Sequence, residues 1–373
     1  MVDVKVLFDM LAYSGVIALL SLGITLAYIT TRVFNFAHPR IANVGAYAAA
    51  AAMALYVDLV RDSGVGRFKA SLGPVEVTGL IAPDVLAVGI VFAVLAGIVV
   101  ALAEYYLVLK PLIDRGADFL KLMIATLAFD FFVIAALFIL GTHISVKELV
   151  SGVFGRETTS LSLHAFDARI DLAFLGYRLR SIMILSFLGS LVVALMLYIL
   201  LFRTKLGVKM RASIENPSLA EVLGINVEQV YTIAWIISGA TAGFAGFLIL
   251  FMGDIVKPVT ATSPADEIIV SAFAGSIVGG VNSVFGSIGG GFIIGGVEIF
   301  VSSLITDLTG IDVTRYNKML SMLAVALTLL FAPQGLATLF SEKSRQGWPG
   351  SGLGLVRGWL LCLRWTLCFS WSS

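Results

Sequence analysis

Residues 268–297 read IIVSAFAGSIVGGVNSVFGSIGGGFIIGGV, a run of 30 residues without a Lys, Arg, Asp or Glu. A helix needs about 20 apolar residues to cross the hydrocarbon core of a bilayer. The run is therefore long enough for a membrane and too long for one pass. Its glycines divide it. We expect a short or re-entrant piece over Ile268–Gly280 and a full helix from about Val284. Backbone that leaves the helix at membrane depth is tolerated where it is buried in protein or lines a water-filled path.

Working outward, further charge-poor runs cover Met10–Thr31, Ile41–Val57, Val85–Ala103, Leu122–Thr142 (interrupted by Asp130), Ser181–Phe202, Val230–Gly253 and Leu320–Ser341. The expected fold is an all-α integral membrane bundle of about eight transmembrane helices with broken or re-entrant segments. Eight or nine crossings both fit, because the glycine-rich run counts once or twice. Composition agrees: 59% of the 373 residues are hydrophobic and 13% charged. Soluble chains carry roughly 25% charged residues. The lipid bilayer is thus the first partner the sequence implies.

A net charge of +1 speaks against a nucleic-acid partner, which calls for clustered Lys and Arg. Two cysteines, Cys362 and Cys368, make no disulfide framework or metal spacing, and His38, His143 and His164 are far apart. No metal and no cofactor is expected. The N-terminus, MVDVKVLFD, lacks the basic region and cleavage site of a signal peptide, so the first apolar run is expected to remain as a span.

Basic residues in short loops set orientation. The loops Lys110–Lys121 and Arg203–Arg211 are both basic and separated by an even number of spans, and the stretch Arg32–Arg40 falls on the same side. That side reads as cytoplasmic, with the N-terminus outside, although the loop Arg61–Asp84 also carries Arg61, Arg67 and Lys69. The long connection Gly141–Arg180 lies outside, and RIDLAFLGYRLR within it alternates as a strand does. We divide the chain into a transmembrane domain, 1–340, and a tail, 341–373, that holds both cysteines and Trp348, Trp359, Trp365 and Trp371. The tail either lies flat at the membrane interface or is an appendage without a role.

The loop 203–230 contains LGVKMRASIENPSLAEVLGINVEQV. Asn216 suits an N-cap, Pro217 the first helical position and Gly224 the position past the end. A helix over Pro217–Leu223 has barely two turns and needs something to pack against. Leu219, Val222 and Leu223 share a face, which either meets a partner protein or tucks under the bundle.

Gly239, Gly243 and Gly246, and Gly286 and Gly290, recur at the small-residue spacing that lets helices approach closely in lipid. Intramembrane charges are costly and usually functional. Asp130 and Glu298 lie within spans, whereas Glu104 falls near a helix end and is expected to reach toward the headgroups. For Asp130 and Glu298 a structural inter-helix hydrogen bond competes with a role on the transport path. No Ser-His-Asp set and no Gly-x-x-x-x-Gly-Lys-Ser/Thr phosphate loop is present, so the chain is not expected to be an enzyme and any ATPase is a separate subunit.

The stretch LGVKMRASIENPSLAEVLGINVEQVYTIAWIISGATAGFAGFL resembles the cytoplasmic loop and following helix of ABC permeases for branched-chain amino acids. Asn35, Phe36, Ala37, His38, Gly45, Ala46 and Tyr47 match the family's Asn-Phe-Ala-His turn and following helix, and point to the smaller of its two paired permease types. Gly279, Gly280, Ser283, Gly286, Gly290 and Glu298, and FAPQGL at Phe331–Leu336, add two further matches. Pro39 departs from the glycine usual there. The resemblance implies an ATP-driven importer subunit that moves branched-chain amino acids. Its partners would be ATP-binding ABC subunits, a second permease subunit and an extracellular substrate-binding protein. Asn216, Pro217, Leu219, Glu221, Leu223 and Gly224 would couple to the ATPase. Asn35, His38, Asp130 and Glu298 would line the translocation path, and Gly243, Gly286 and Gly290 would pack helices. A permease for urea or short amides and an ion-coupled secondary transporter are the alternatives.

Overall fold

The computed structural model describes residues 4–60, 68–72, 75–79, 83–142, 148, 150, 153, 169–172, 177–252, 265–310 and 317–331. Eleven helices and four strands follow in chain order: α1 Val4–Thr31, α2 His38–Val60, β1 Phe68–Leu72, β2 Val75–Gly79, α3 Pro83–Asp114, α4 Phe119–Thr142, β3 Arg169–Leu172, β4 Tyr177–Arg180, α5 Ser181–Arg203, α6 Lys205–Glu215, α7 Pro217–Val222, α8 Val227–Leu250, α9 Ala265–Gly279, α10 Val284–Thr309 and α11 Asn317–Phe331. Seven of these, α1 to α5, α8 and α10, are long and apolar enough to cross a membrane. The tail 341–373, FAPQGL beyond Phe331, His143 and His164 lie outside the described residues.

Side-chain pairings fix the direction of each helix. Trp235 Nε1 donates to Thr30 Oγ1 at 3.1 Å and Ser238 Oγ to the Gly23 carbonyl at 2.9 Å, so α8 runs antiparallel to α1. Ser21 Oγ donates to the Ala272 carbonyl at 2.9 Å, and Thr25 Oγ1 and Ser276 Oγ share a bond of 2.8 Å, so α9 runs parallel to α1. That register brings the start of α9 level with Ser14 of α1, inside that span. Its 15 residues rise about 22 Å, short of the roughly 30 Å hydrocarbon core. It is a half-helix starting at membrane depth.

The turn after α9 lies where the glycines of the opening run place it. Gly280 takes a positive φ of 104°, Ser283 caps α10 by accepting from the Gly286 N–H at 3.0 Å, and α10 returns antiparallel, with Gly291 and Gly295 against Ala18 and Ser14 of α1. Ser321 of α11 and Ser271 of α9 donate to the same Glu298 carboxylate, and Ala324 and Val325 pack on the cluster of Ala274, Val278 and Ile294. α11 therefore runs beside α9 in the same direction. With the half-helix α9 and the equally short α11, the described bundle holds nine helices besides α6 and α7.

One face carries the basic loops. Arg32 donates from Nη1 to Asn282 Oδ1 at 2.9 Å and from Nη2 to the Ile214 carbonyl at 3.3 Å, and Lys110 pairs with Glu228. The opposite face carries an antiparallel sheet in the order β1-β2-β3-β4. Strands β3 and β4 fall on the alternating segment; β1 and β2 come from the earlier loop, where no strand is expected from sequence. Val75 pairs with Leu172 and Thr78 with Arg169, which joins two loops about a hundred residues apart.

The helices meet through glycine. A Cβ on Gly243 would overlap the Ala93 carbonyl, and one on Gly239 or Gly97 would strike the facing backbone. Gly246 is pressed against Ala42 in the same way. At the other seam, Gly290 lies on the Gly275 carbonyl, while the Gly286 carbonyl fills the space a side chain on Gly279 would take. Lipid-facing surfaces are as apolar as the buried ones, so this close approach, rather than apolar burial, is what holds such helices together. Gly290→Leu drives a branched side chain into the α9 backbone. Overpacking costs about 1–3 kcal/mol, and thermal unfolding in detergent should show a clear drop; an unchanged profile removes the packing role.

Candidate functional site

Between α1 and α2 the chain leaves the helix and re-enters it below the surface. Arg32 takes a φ of 57°, after which residues 33–37 turn back along α1. Asn35 Oδ1 accepts from the Ala37 N–H at 2.8 Å, the local bond by which Asn side chains stabilise a turn. The Ala37 carbonyl then accepts from Arg40 at 2.9 Å and Ile41 at 3.1 Å to start α2. Pro39 sits in this first turn, where an N–H has no helical partner and a fixed φ suits the helix, so its departure from glycine costs the turn nothing.

The turn is pinned on several sides. Asn35 Nδ2 donates to Glu104 Oε2 at 2.8 Å, and the Phe36 N–H reaches Thr126 Oγ1 at 3.4 Å. His38 is buried against Gly23, its Nδ1 3.4 Å from Ser238 Oγ. Among the described residues, His38 Nε2 and Glu104 Oε1 have no hydrogen-bond partner.

Two sequence expectations need correction here. Glu104 does not reach toward headgroups; it is fully buried. The span expected to stop at Ala103 continues to Asp114 through a π-helical stretch, Glu104–Leu109, which keeps Glu104 inside the bundle. Second, Arg40 is not part of a surface stretch with Arg32. It is 2% exposed and lies at the depth of Asp130, half-way along α4. Loop 203–230 also holds a helix before the capped one: α6, seated on α5 through Gly207 and Met210 and capped by Thr204, whose Oγ1 accepts from the Gly207 N–H at 3.1 Å.

Arg40 is the centre of a charge cluster that sequence reading misses. Its Nε donates to Asp130 Oδ1 at 2.8 Å and its Nη2 to Asp130 Oδ2 at 3.4 Å and Asp266 Oδ1 at 2.7 Å. Asp130 is 15% exposed and Asp266, in the first turn of the half-helix, 57%. One signal was available: a lone Asp in an apolar run requires a cation, and Arg40 abuts an apolar run. The structure does not bring Glu298 to this cluster. Glu298 is buried between α9, α10 and α11 on Ser271, 2.7 Å away, and Ser321.

Beside the cluster lies an apolar groove of about 530 Å³. Phe34 and Phe36 of the turn, Val270 and Phe273 of α9, and Met322 and Leu329 of α11 line it. Phe273 meets the rings of Phe34 and Phe36 at centroid distances of 5.6 and 5.2 Å.

On the basic face stands α7. Asn216 Oδ1 accepts from the Leu219 N–H at 3.0 Å, Pro217 occupies the first turn, and Gly224 takes a φ of 79°. The Ile225 N–H closes the end on the Ala220 carbonyl at 3.0 Å. Leu223 is the C-cap rather than the last helical residue. Ala220 is buried while Leu219 and Leu223 are 55% and 70% exposed, and Val222 projects further still; Glu221 is also exposed.

Residues 6–332 match the family described as branched-chain amino acid transport system / permease component, and the chain belongs to that family. It is 37% identical over 334 residues to the probable branched-chain amino acid transport permease protein LivH of Methanocaldococcus jannaschii, covering 90% of this chain and 92% of the relative. The high-affinity branched-chain amino acid transport system permease protein BraD of Pseudomonas aeruginosa is 23% identical over 321 residues, 86% of this chain and 90% of the relative. The xylose/arabinose import permease protein XylH of Sulfolobus acidocaldarius is 28% identical over 154 residues, 40% and 42% of the two chains. The family is one of multi-pass membrane transport components, not an enzyme class.

Proposed function

We propose that the chain is the permease subunit through which branched-chain amino acids enter the cell, driven by ATP-binding subunits that push on α7. The observation that carries this reading is α7 itself: a helix of six residues, fixed at both ends, with its apolar side chains turned away from the bundle. Six residues do not hold a helix in water unaided, and such anchors suit a groove on a partner. A second permease subunit completes the path, and an extracellular binding protein delivers the solute. Asn216, Pro217, Leu219, Glu221, Leu223 and Gly224 form the coupling element. Asn35, His38 and Asp130 border the path, and Glu298 ties the half-helix to its neighbours. Loop 203–230 belongs to the cytoplasmic side in this reading.

ATP-dependent uptake of labelled leucine by vesicles containing the assembled transporter tests the substrate. Leucine uptake that unlabelled valine and isoleucine suppress supports the reading; uptake of urea or xylose in place of leucine overturns it. Within the same assay, the Asn35→Ala, His38→Ala double variant should take up leucine several-fold more slowly while reaching the membrane in normal amount. Removing Asn35 leaves Glu104 Oε2 without its amide donor, and a buried acceptor left unsatisfied costs about 1–3 kcal/mol. Wild-type uptake by that variant removes the turn from the path.

A further inference from the structure

We propose that the apolar groove and the Arg40–Asp266 pair together form a binding site for a small zwitterion with an apolar side chain, at the middle of the membrane. The proposal rests on the amino-acid reading above and assigns it a place in this chain. Phe36 and Val270 line the groove, Arg40 follows Phe36 by four residues, and Asp266 precedes Val270 by four on α9. Arg40 and Asp266 touch at 2.7 Å, so the ion pair sits about one helical turn, near 5–6 Å, beyond one end of the aromatic walls. The site is thus apolar along its length and charged with both signs at one end. Its depth follows from Asp130, half-way along α4, and from the half-helix whose first turn supplies Asp266. Discontinuous helices near the midplane are where transporters place substrate groups.

The chemistry of the pair selects its ligand. Asp130 holds Arg40 from the side of Nε at 2.8 Å, so Arg40 stays paired when Asp266 lets go. A zwitterion that enters between Arg40 and Asp266 gives its carboxylate to the guanidinium and its ammonium to the aspartate. One ion pair becomes two and no charge is left alone. A carboxylic acid entering the same way takes the guanidinium and leaves Asp266 without its cation, whereas an amine answers Asp266 alone and gains nothing from Arg40, which Asp130 still holds. The zwitterion alone engages both charges, and that second contact is what favours it over either compound. The aliphatic side chain then lies between Phe273 and Met322 in the groove.

The test measures maximal leucine uptake per assembled transporter, with half-saturation, complex yield and melting temperature recorded alongside. Asp266→Asn should lower the maximal rate about tenfold or more, the loss of one charge-assisted contact, with the other three unchanged. Asp266→Glu should recover much of it. Ala326→Phe, which fills the groove from its exposed side, should also slow uptake. A wild-type transporter that moves leucine, with Asp266→Asn moving it equally fast, overturns the site and leaves the amino-acid reading intact. A wild-type transporter that moves no leucine overturns both.

Discussion

Leu219→Asp combined with Leu223→Asp abolishes ATP-driven uptake and releases the ATP-binding subunit during purification. Both side chains are more than half exposed on the basic face, while α7 is seated through Ala220, which neither change touches. The caps at Asn216 and Gly224 also remain, so the helix keeps its shape and loses its apolar surface. Truncating an interface anchor commonly costs 2 kcal/mol or more, about thirtyfold in affinity. Placing a carboxylate in an apolar groove is worse, because the charge must be desolvated without a partner. Insertion and thermal unfolding of the permease should match wild type, since the helix lies outside the spans. The measurement is recovery of the ATP-binding subunit on a tagged permease. A double variant that keeps its partner ends the coupling role of α7.

Arg40→Leu should be the most destabilising single change in the membrane region. It leaves Asp130 half-way along α4 without its cation, and breaking a buried pair by removing one partner costs about 3–5 kcal/mol. The melting temperature in detergent should fall steeply and expression with it. Replacing both members, Arg40→Leu with Asp130→Leu, should recover most of the stability, because a buried pair exchanged for apolar side chains is often close to neutral. Uptake should stay lost in the double variant, since the guanidinium is gone. Full uptake in the stable double variant would show the pair to be structural alone.

These two predictions draw on opposite ends of what a sequence discloses. The ends of α7 are written locally: Asn216, Pro217 and Gly224 each answer a backbone requirement within a few residues of themselves. The break at Gly280–Ser283 is legible for the same reason, since a positive φ and an N-cap are local demands. The Arg40 cluster joins residues 90 and 226 positions apart, and no pattern along the chain encodes that meeting. Charge-based span reading also misplaces Glu104. It takes the first carboxylate after an apolar run as the end of the run, whereas the helix carries it inward through a π turn to Asn35. The strands β1 and β2 escape because FKASL and VEVTG are short, and their pairing with β3 depends on another loop.

The sheet on the far face gives α5 a mechanical part. α5 begins directly after β4 and ends one residue before α6, the helix on which α7 rests. Its 23 residues make a strut about 35 Å long. In the reading in which ATP-binding subunits push on α7, load applied there would pass to α6, travel along that strut and arrive at β4. There the ladder β4-β3-β2-β1 would act as a cross-tie to β1 and β2, which follow α2 and precede α3 in the chain. Three helices, α2, α3 and α5, would thereby be yoked at the end farthest from the applied force. A stroke delivered on one side of the membrane is felt on the other as movement of a block, not of a single helix.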